Sequence, residues 1–83
     1  MGHLEVVREL LARGAAVDTA DEDGWTPLHI ASRDGRLEVV RELLARGASP
    51  GLADSGGNTA LSRADAGGHA TTAQLLRAVL RLV

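Results

Sequence analysis

The sequence predicts an all-α repeat protein, a solenoid of stacked helix-turn-helix units, and three observations lead to that prediction. The segment "GHLEVVRELLARGA" at Gly2–Ala15 returns as "GRLEVVRELLARGA" at Gly35–Ala48, 33 residues further along. A second pair, "GWTPLHIASRDGR" at 24–36 and "GNTALSRADAGGH" at 57–69, has the same spacing. A fixed period of this length is typical of stacked arrays. Trp25 is the only aromatic residue, so the core is aliphatic, which suits small helices better than a sheet.

The first helix of a unit is marked at both ends. Thr26 followed by Pro27 predicts a helix start, because the hydroxyl can accept from an early backbone N–H and proline loses no bond there. Leu28 and Ala31 then lie on one face of a short helix. Gly35 predicts its end, since glycine readily adopts the left-handed conformation that turns the chain.

The second helix is predicted from Leu37, with apolar residues at helical spacing and Gly47 as its stop. The polar segment "ASPGLADSGGN" that follows predicts a turn or hairpin. None of these helices is long enough to be stable alone in water. Each unit is therefore expected to persist by burying its leucine face against the next unit.

The segment "DEDGWTPLHIASRDGRLEVVRELLARGAS" at 21–49 resembles the ankyrin repeat, whose signature is T-P-L-H-x-A within a period of 33 residues. The resemblance covers the whole chain and implies units joined by β-hairpin loops. The residues that carry this structural motif are Thr26, Pro27, Leu28, His29, Gly35 and Gly47. The resemblance also implies that His29 bonds with the threonine hydroxyl and neighbouring backbone.

We expect one array over residues 1–83. Residues 1–20 would be the second helix and loop of a truncated repeat, 21–53 a full repeat, and 54–83 a C-terminal capping repeat. In the last unit Ala60, Ser62 and Arg63 replace Pro27, His29 and Ile30, and its second helix runs past the expected glycine stop. Such departures are typical of a terminal unit with no further neighbour.

Composition narrows the classes of partner. The net charge is −2 with mixed signs, so there is no electrostatic case for nucleic acid. No apolar run has the length of a membrane helix, and no membrane partner is expected. The chain has no cysteine, which fits an intracellular home, cytoplasmic or nuclear.

Catalytic and cofactor motifs are not found. His3, His29 and His69 have no cysteine beside them and no metal-site spacing, and the acidic run 21–23 lacks the spacing of a calcium loop. The serines lack a glycine elbow or a base at a known spacing. We therefore expect no enzyme, no cofactor and no metal.

The resemblance implies a protein partner bound on the concave side, which hairpin tips and first helices form. The outward-facing candidates are Glu22, Asp23, Trp25, Arg33, Asp34 and Arg46, with Arg13, Ala20, Ser55, Asn58 and Ala66 in the flanking units. Tryptophan is enriched at interface hot spots. The ring of Trp25 could equally lie over the neighbouring hairpin and stabilise the stack, and the sequence leaves both interpretations open.

Two further hypotheses remain. The chain could be the purely architectural C-terminal end of a longer solenoid, with recognition in upstream repeats. Its N-terminal edge, formed by Leu4, Val7, Leu11 and Leu28, is also expected to be exposed. Uncovered apolar surface of this kind favours self-association, here as a two-fold dimer.

Overall fold

The computed structural model describes residues 17–82, and this part of the chain contains four α-helices and no strand. They are α1 (Pro27–Arg33), α2 (Leu37–Ala45), α3 (Ala60–Ala66) and α4 (Ala70–Leu80). Helices α1 and α2 form one helix-turn-helix unit, and α3 and α4 form the next. Helix α1 packs against α3, and α2 packs against α4, so the two units stack in parallel layers. The prediction of an all-α repeat fold is confirmed.

The ends of α1 and α2 follow from the local sequence. Thr26 is the N-cap of α1: its hydroxyl accepts a hydrogen bond from the backbone N–H of His29, and Pro27 occupies the first turn. Gly35 follows α1 with a φ of 67°, and Gly47 follows α2 with a φ of 91°. Both angles lie in the left-handed region, where glycine is the residue with least strain.

The core between the two layers is aliphatic. Its buried members are Leu28, Ala31, Val39, Val40, Leu43, Ala48, Ala60, Ala64, Ala73 and Leu76. Alanines on α1, α3 and α4 let these helices approach closely, while leucine and valine fill the space between the layers. The core thus ties each unit to its neighbour.

The expectation that Leu28 belongs to an exposed edge is wrong. Its side chain is 0% exposed, because it is the second residue of α1 and lies within the core that both units share. The other residues assigned to that edge, Leu4, Val7 and Leu11, lie outside the described residues, as does Arg13.

The loops before α1 and α3 are tight hairpin turns. The N–H of Asp21 donates to the carbonyl of Trp25 (2.9 Å), and the N–H of Asp54 donates to the carbonyl of Asn58 (2.8 Å). The two hairpins are joined because the N–H of Ser55 donates to the carbonyl of Asp23, at 2.9 Å. In residues 17–82 the hairpins adjoin through this bond without forming a strand ladder.

Candidate partner-binding surface

Five of the six predicted contact residues lie around the N-terminal hairpin and the end of α1. Glu22 and Asp23 are exposed at the hairpin tip, and Trp25 is half-buried where the hairpin meets α1. Arg33 ends α1, Asp34 caps it, and both are exposed. The hairpin and α1 are adjacent in sequence, and the capping bonds of Thr26 fix the angle between them.

Trp25 lies in a cluster of polar and cationic groups. Its ring centroid is 5.9 Å from that of His29, with the rings tilted by 50°. The guanidinium carbon Cζ of Arg33 lies 5.2 Å from the indole centroid, and that of Arg63 lies 4.1 Å away. A guanidinium within about 6 Å of an aromatic centroid is attracted by the negative face of the ring.

Arg63 is held from its other side by Asp54. Its Nε and Nη2 groups donate to the Oδ2 atom of Asp54 at 3.1 and 2.7 Å. The other oxygen, Oδ1, accepts from the backbone N–H groups of Gly56 (2.9 Å) and Asn58 (3.0 Å). The side chain of Asp54 is only 1% exposed, so these bonds replace its contacts with water.

Two opposing effects set the pKa of Asp54. Burial is the largest single effect and raises the pKa, because it disfavours the charged carboxylate. The hydrogen bond from Asn58, those from Arg63 and Gly56, and the positive charge of Arg63 together outweigh burial and lower the pKa below its usual value. Asp54 is therefore a stable anion that anchors a cation at the ring of Trp25.

The second guanidinium at the ring is held more loosely. Nε of Arg33 donates to Oδ1 of Asp34 at 2.9 Å, and both side chains are substantially exposed. The hydrogen bond and negative charge of Asp34 raise the pKa of Arg33 above its ordinary value, and burial opposes this only slightly. Exposed pairs of this kind contribute little to stability, so Asp34 fixes Arg33 less firmly than the buried Asp54 fixes Arg63.

His29 joins the two units. Its Nδ1 atom accepts from the backbone N–H of Thr26 at 3.2 Å and lies 2.8 Å from the threonine Oγ1. Because Nδ1 accepts, the ring proton belongs on Nε2, which donates to the carbonyl of Asn58 at 2.8 Å. The side chain is 1% exposed and committed to these bonds. This geometry suits a structural role.

The remaining candidates lie elsewhere. Arg46 follows the end of α2 and bonds to Glu42 (2.8 Å), and no described contact joins it to Trp25. Ser55 and Asn58 bond through their backbone to the preceding unit, while Ala20 and Ala66 are exposed. Within residues 17–82, no group of three or more His, Asp or Glu side chains could hold a metal ion. The same stretch has no helix long and apolar enough to cross a bilayer.

Comparison with known proteins identifies the repeat. A family model described as ankyrin repeats, in three copies, matches residues 1–79. The chain belongs to the ankyrin-repeat family. The T-P-L-H motif at the start of α1 is thus the ankyrin signature, and the bonds of His29 described above are made by its histidine.

Three relatives share a segment with this ankyrin array. Protein phosphatase 1 regulatory subunit 27 from Mus musculus and from Homo sapiens are each 56% identical over 34 residues, which is 41% of this chain and 22% of each relative. Ankyrin repeat and SOCS box protein 3 from Bos taurus is 48% identical over 31 residues, 37% of this chain and 6% of that protein. The matches thus span about a fifth or less of the relatives' length. Ankyrin repeats are generally protein-interaction modules, and membership of this family points to a non-enzymatic role.

Three residues of the ankyrin array were missed as functional candidates: Asp54, Arg63 and His69. Arg63 replaces Ile30 at the period of 33, and Asp54 repeats Asp21 at the same period, so both carried a signal in the sequence. His69 donates from Nε2 to the carbonyl of Arg33 at 2.9 Å, across the boundary between the units. Its equivalent in the preceding unit is Arg36, so the period gave no indication of this bond.

Proposed function

We propose that this ankyrin array is a non-catalytic protein-interaction module that binds its partner on the surface formed by Glu22, Asp23, Trp25, Arg33 and Asp34. We also propose an intracellular setting, cytoplasmic or nuclear. One observation carries the proposal of the surface. A half-buried tryptophan lies where the hairpin meets α1, with the guanidinium groups of Arg33 and Arg63 over its ring, and the flanking groups are exposed.

The physical reason is preorganisation. A tryptophan whose ring is already ordered loses little conformational freedom when a partner covers it, and tryptophan and arginine are the residue types most enriched at hot spots. Glu22 and Asp23 lie at the rim, where charges act mainly on selectivity and association rate. Trp25 is therefore expected to contribute most of the affinity, and the hairpin tip the selectivity.

The test is partner capture on the immobilised protein, followed by a measured dissociation constant. Two of the three relatives are named as regulatory subunits of protein phosphatase 1, so that phosphatase is the first probe, and cell lysate is the second. Trp25→Ala should weaken binding at least about tenfold, the effect of losing a hot spot. The matched control is Arg41→Ala, which removes an exposed pair with Glu38 on α2. Equal binding by Trp25→Ala and the wild type would refute the proposal.

A second candidate function is purely architectural: the array would stabilise a longer ankyrin solenoid whose partner is recognised by upstream repeats, and the contact between Trp25 and Arg63 favours this candidate. The ring of Trp25 is contacted by Arg63 from the following unit, so it stabilises the stack whether or not a partner exists. On this hypothesis the wild-type array captures no partner, and Trp25→Ala lowers only the melting temperature. Partner capture by the wild-type array, and its loss in Trp25→Ala, therefore separate the two candidates.

Self-association remains a separate proposal. We propose a two-fold dimer formed through Leu4, Val7 and Leu11. At the period of 33 their equivalents on α2 are Leu37, Val40 and Leu44, of which Val40 is buried and Leu44 packs against the core. Light scattering after size exclusion, repeated over a wide dilution series, tests it. A molar mass that falls from dimer to monomer on dilution supports the dimer, and a monomer at every concentration refutes it.

A further inference from the structure

The ring of Trp25 is held from outside its own unit. Trp25 precedes α1, whereas Arg63 lies on α3 of the next unit, and the guanidinium carbon of Arg63 is 4.1 Å from the indole centroid. The Arg33 contact is longer, 5.2 Å, and that side chain is 53% exposed against 27% for Arg63. Of the two arginines, Arg63 is therefore the one whose position most restrains the ring.

Asp54 fixes Arg63 in that position. Two N–H groups of the guanidinium converge on one carboxylate oxygen, and the other carboxylate oxygen is held by two backbone N–H groups of its own hairpin. Only arginine combines several N–H donors with a flat face that stacks on an aromatic ring. A chain of contacts thus runs from the hairpin of the last unit, through Arg63, to Trp25.

We infer that Arg63 is a positioning residue of the proposed partner surface: anchored by Asp54, it fixes the orientation in which Trp25 is presented. The inference rests on the proposed function and deepens it. The surface of one unit is complete only when the next unit is folded against it. On this inference Asp54 acts on the orientation of the ring through its bonds to Arg63.

The composition of the chain makes this testable without a partner. Trp25 is the only tryptophan, and the chain has no tyrosine or phenylalanine, so its fluorescence and its indole N–H resonance each report one side chain. The indole heteronuclear NOE measures its fast motion, and acrylamide quenching measures its access to solvent. The variants are Arg63→Ala and Asp54→Asn. The control is Arg77→Ala, which removes another arginine–aspartate pair of the same unit, that with Asp65.

Both Arg63→Ala and Asp54→Asn should lower the indole NOE and raise the quenching constant, and Arg77→Ala should leave both at wild-type values. The double variant Asp54→Asn/Arg63→Ala should match Arg63→Ala, because Asp54 acts only through Arg63. An indole NOE that is unchanged in Arg63→Ala or in Asp54→Asn, or that falls equally in Arg77→Ala, would overturn the inference. If Arg63→Ala does not fold, Arg63→Lys replaces it, since lysine keeps the charge and loses the flat donor group.

Partner binding gives the second readout. Asp54→Asn should weaken the affinity for a captured partner by roughly two- to fivefold, the range that a partly exposed cation–π contact supports, and Arg77→Ala should not. The proposed function and the positioning role of Arg63 can be refuted independently of each other. If Trp25→Ala leaves partner binding intact, the proposed function fails, while the indole measurements still decide whether Arg63 positions the ring.

Discussion

The side chain of Ser32 is a polar group buried among the apolar residues of the core. It lies on α1 at 0% exposure, and among the described residues its hydroxyl makes no hydrogen bond. A buried hydroxyl left unpaired costs about 1–3 kcal/mol, whereas an apolar group of similar size there costs little. Ser32 therefore lowers the stability of this small domain.

Ser32→Ala should raise the free energy of unfolding by about 1 kcal/mol, because it removes the unpaired hydroxyl and alanine is the better helix former. Urea titration followed by circular dichroism measures the change. Ser62→Ala on α3 is the control: Ser62 is exposed, and its effect should stay within about 0.5 kcal/mol. A destabilised Ser32→Ala would show that the hydroxyl has a favourable role.

The carboxylate of Asp54 makes the stability of the fold depend on pH. Its pKa is lower in the folded protein than in the unfolded chain, so the unfolded chain binds its proton first as the pH falls. The stability that Asp54 contributes is therefore fully present above its unfolded pKa of about 4, and it is lost as the pH drops through the folded value.

Asp54→Asn should consequently melt at a lower temperature than the wild type at pH 7, and the difference should shrink as the pH falls below about 4. Thermal melts of both proteins at a series of pH values measure this. A difference in melting temperature that stays constant down to the lowest pH would contradict the role given to the carboxylate.

At the scale of elements, the turns between helices depend on two different constraints. Gly35 has a left-handed backbone, and a Cβ placed on it would lie 2.4 Å from the ring of His69. Gly47 also has a left-handed backbone, but a Cβ there meets no described atom within 4 Å. Gly47 is required by its backbone conformation alone, whereas Gly35 is required also because the ring of His69 in the next unit lies close to it.

Gly47→Ala should cost about 1–2 kcal/mol of unfolding free energy, the strain of a left-handed alanine. Gly35→Ala should lower the free energy of unfolding by about 1–3 kcal/mol more than Gly47→Ala, because the new methyl group must displace the imidazole of His69. Urea titrations of both variants, with and without His69→Ala, measure this. Equal costs for the two glycines would contradict the packing of His69 on the turn.

The helices were the part of the fold that the sequence predicted well. The Thr26–Pro27 start, the Gly35 turn and the start at Leu37 depend on neighbouring residues, so they are readable locally. The burial of Leu28 was mispredicted because it was judged from the edge of the array, whereas its position on α1 turns it toward α3. The contacts that Arg63 and His69 make across the boundary between the units could not be predicted. The 33-residue period shows which residues recur in each unit, but it does not show what a residue that departs from the period will contact.

At the scale of the whole molecule, polar and ring contacts join the two units that residues 17–82 form, in addition to the apolar core that these units share. The side chain of His29 bonds to Asn58, that of His69 to Arg33, and Arg63 stacks on Trp25, while the hairpins join through Ser55 and Asp23. In repeat proteins, stability is the sum of unit terms and neighbour terms. Here the neighbour terms are numerous, so these two units should unfold together.

Cooperative unfolding can be checked with two probes. Circular dichroism reports all helices, and the fluorescence of Trp25 reports the boundary between the units. The two urea transitions should coincide in midpoint, as a two-state domain requires. A fluorescence transition at clearly lower urea than the helical transition would show that the boundary opens first.

We propose that a protein partner binds the face formed by the first hairpin, α1 and the adjoining part of the next unit. Amide cross-peaks of the labelled protein, recorded before and after the captured partner is added, test this proposal. The shifts should be concentrated in residues 21–34 and 54–66. Shifts concentrated on the outward faces of α2 and α4 would contradict the proposal.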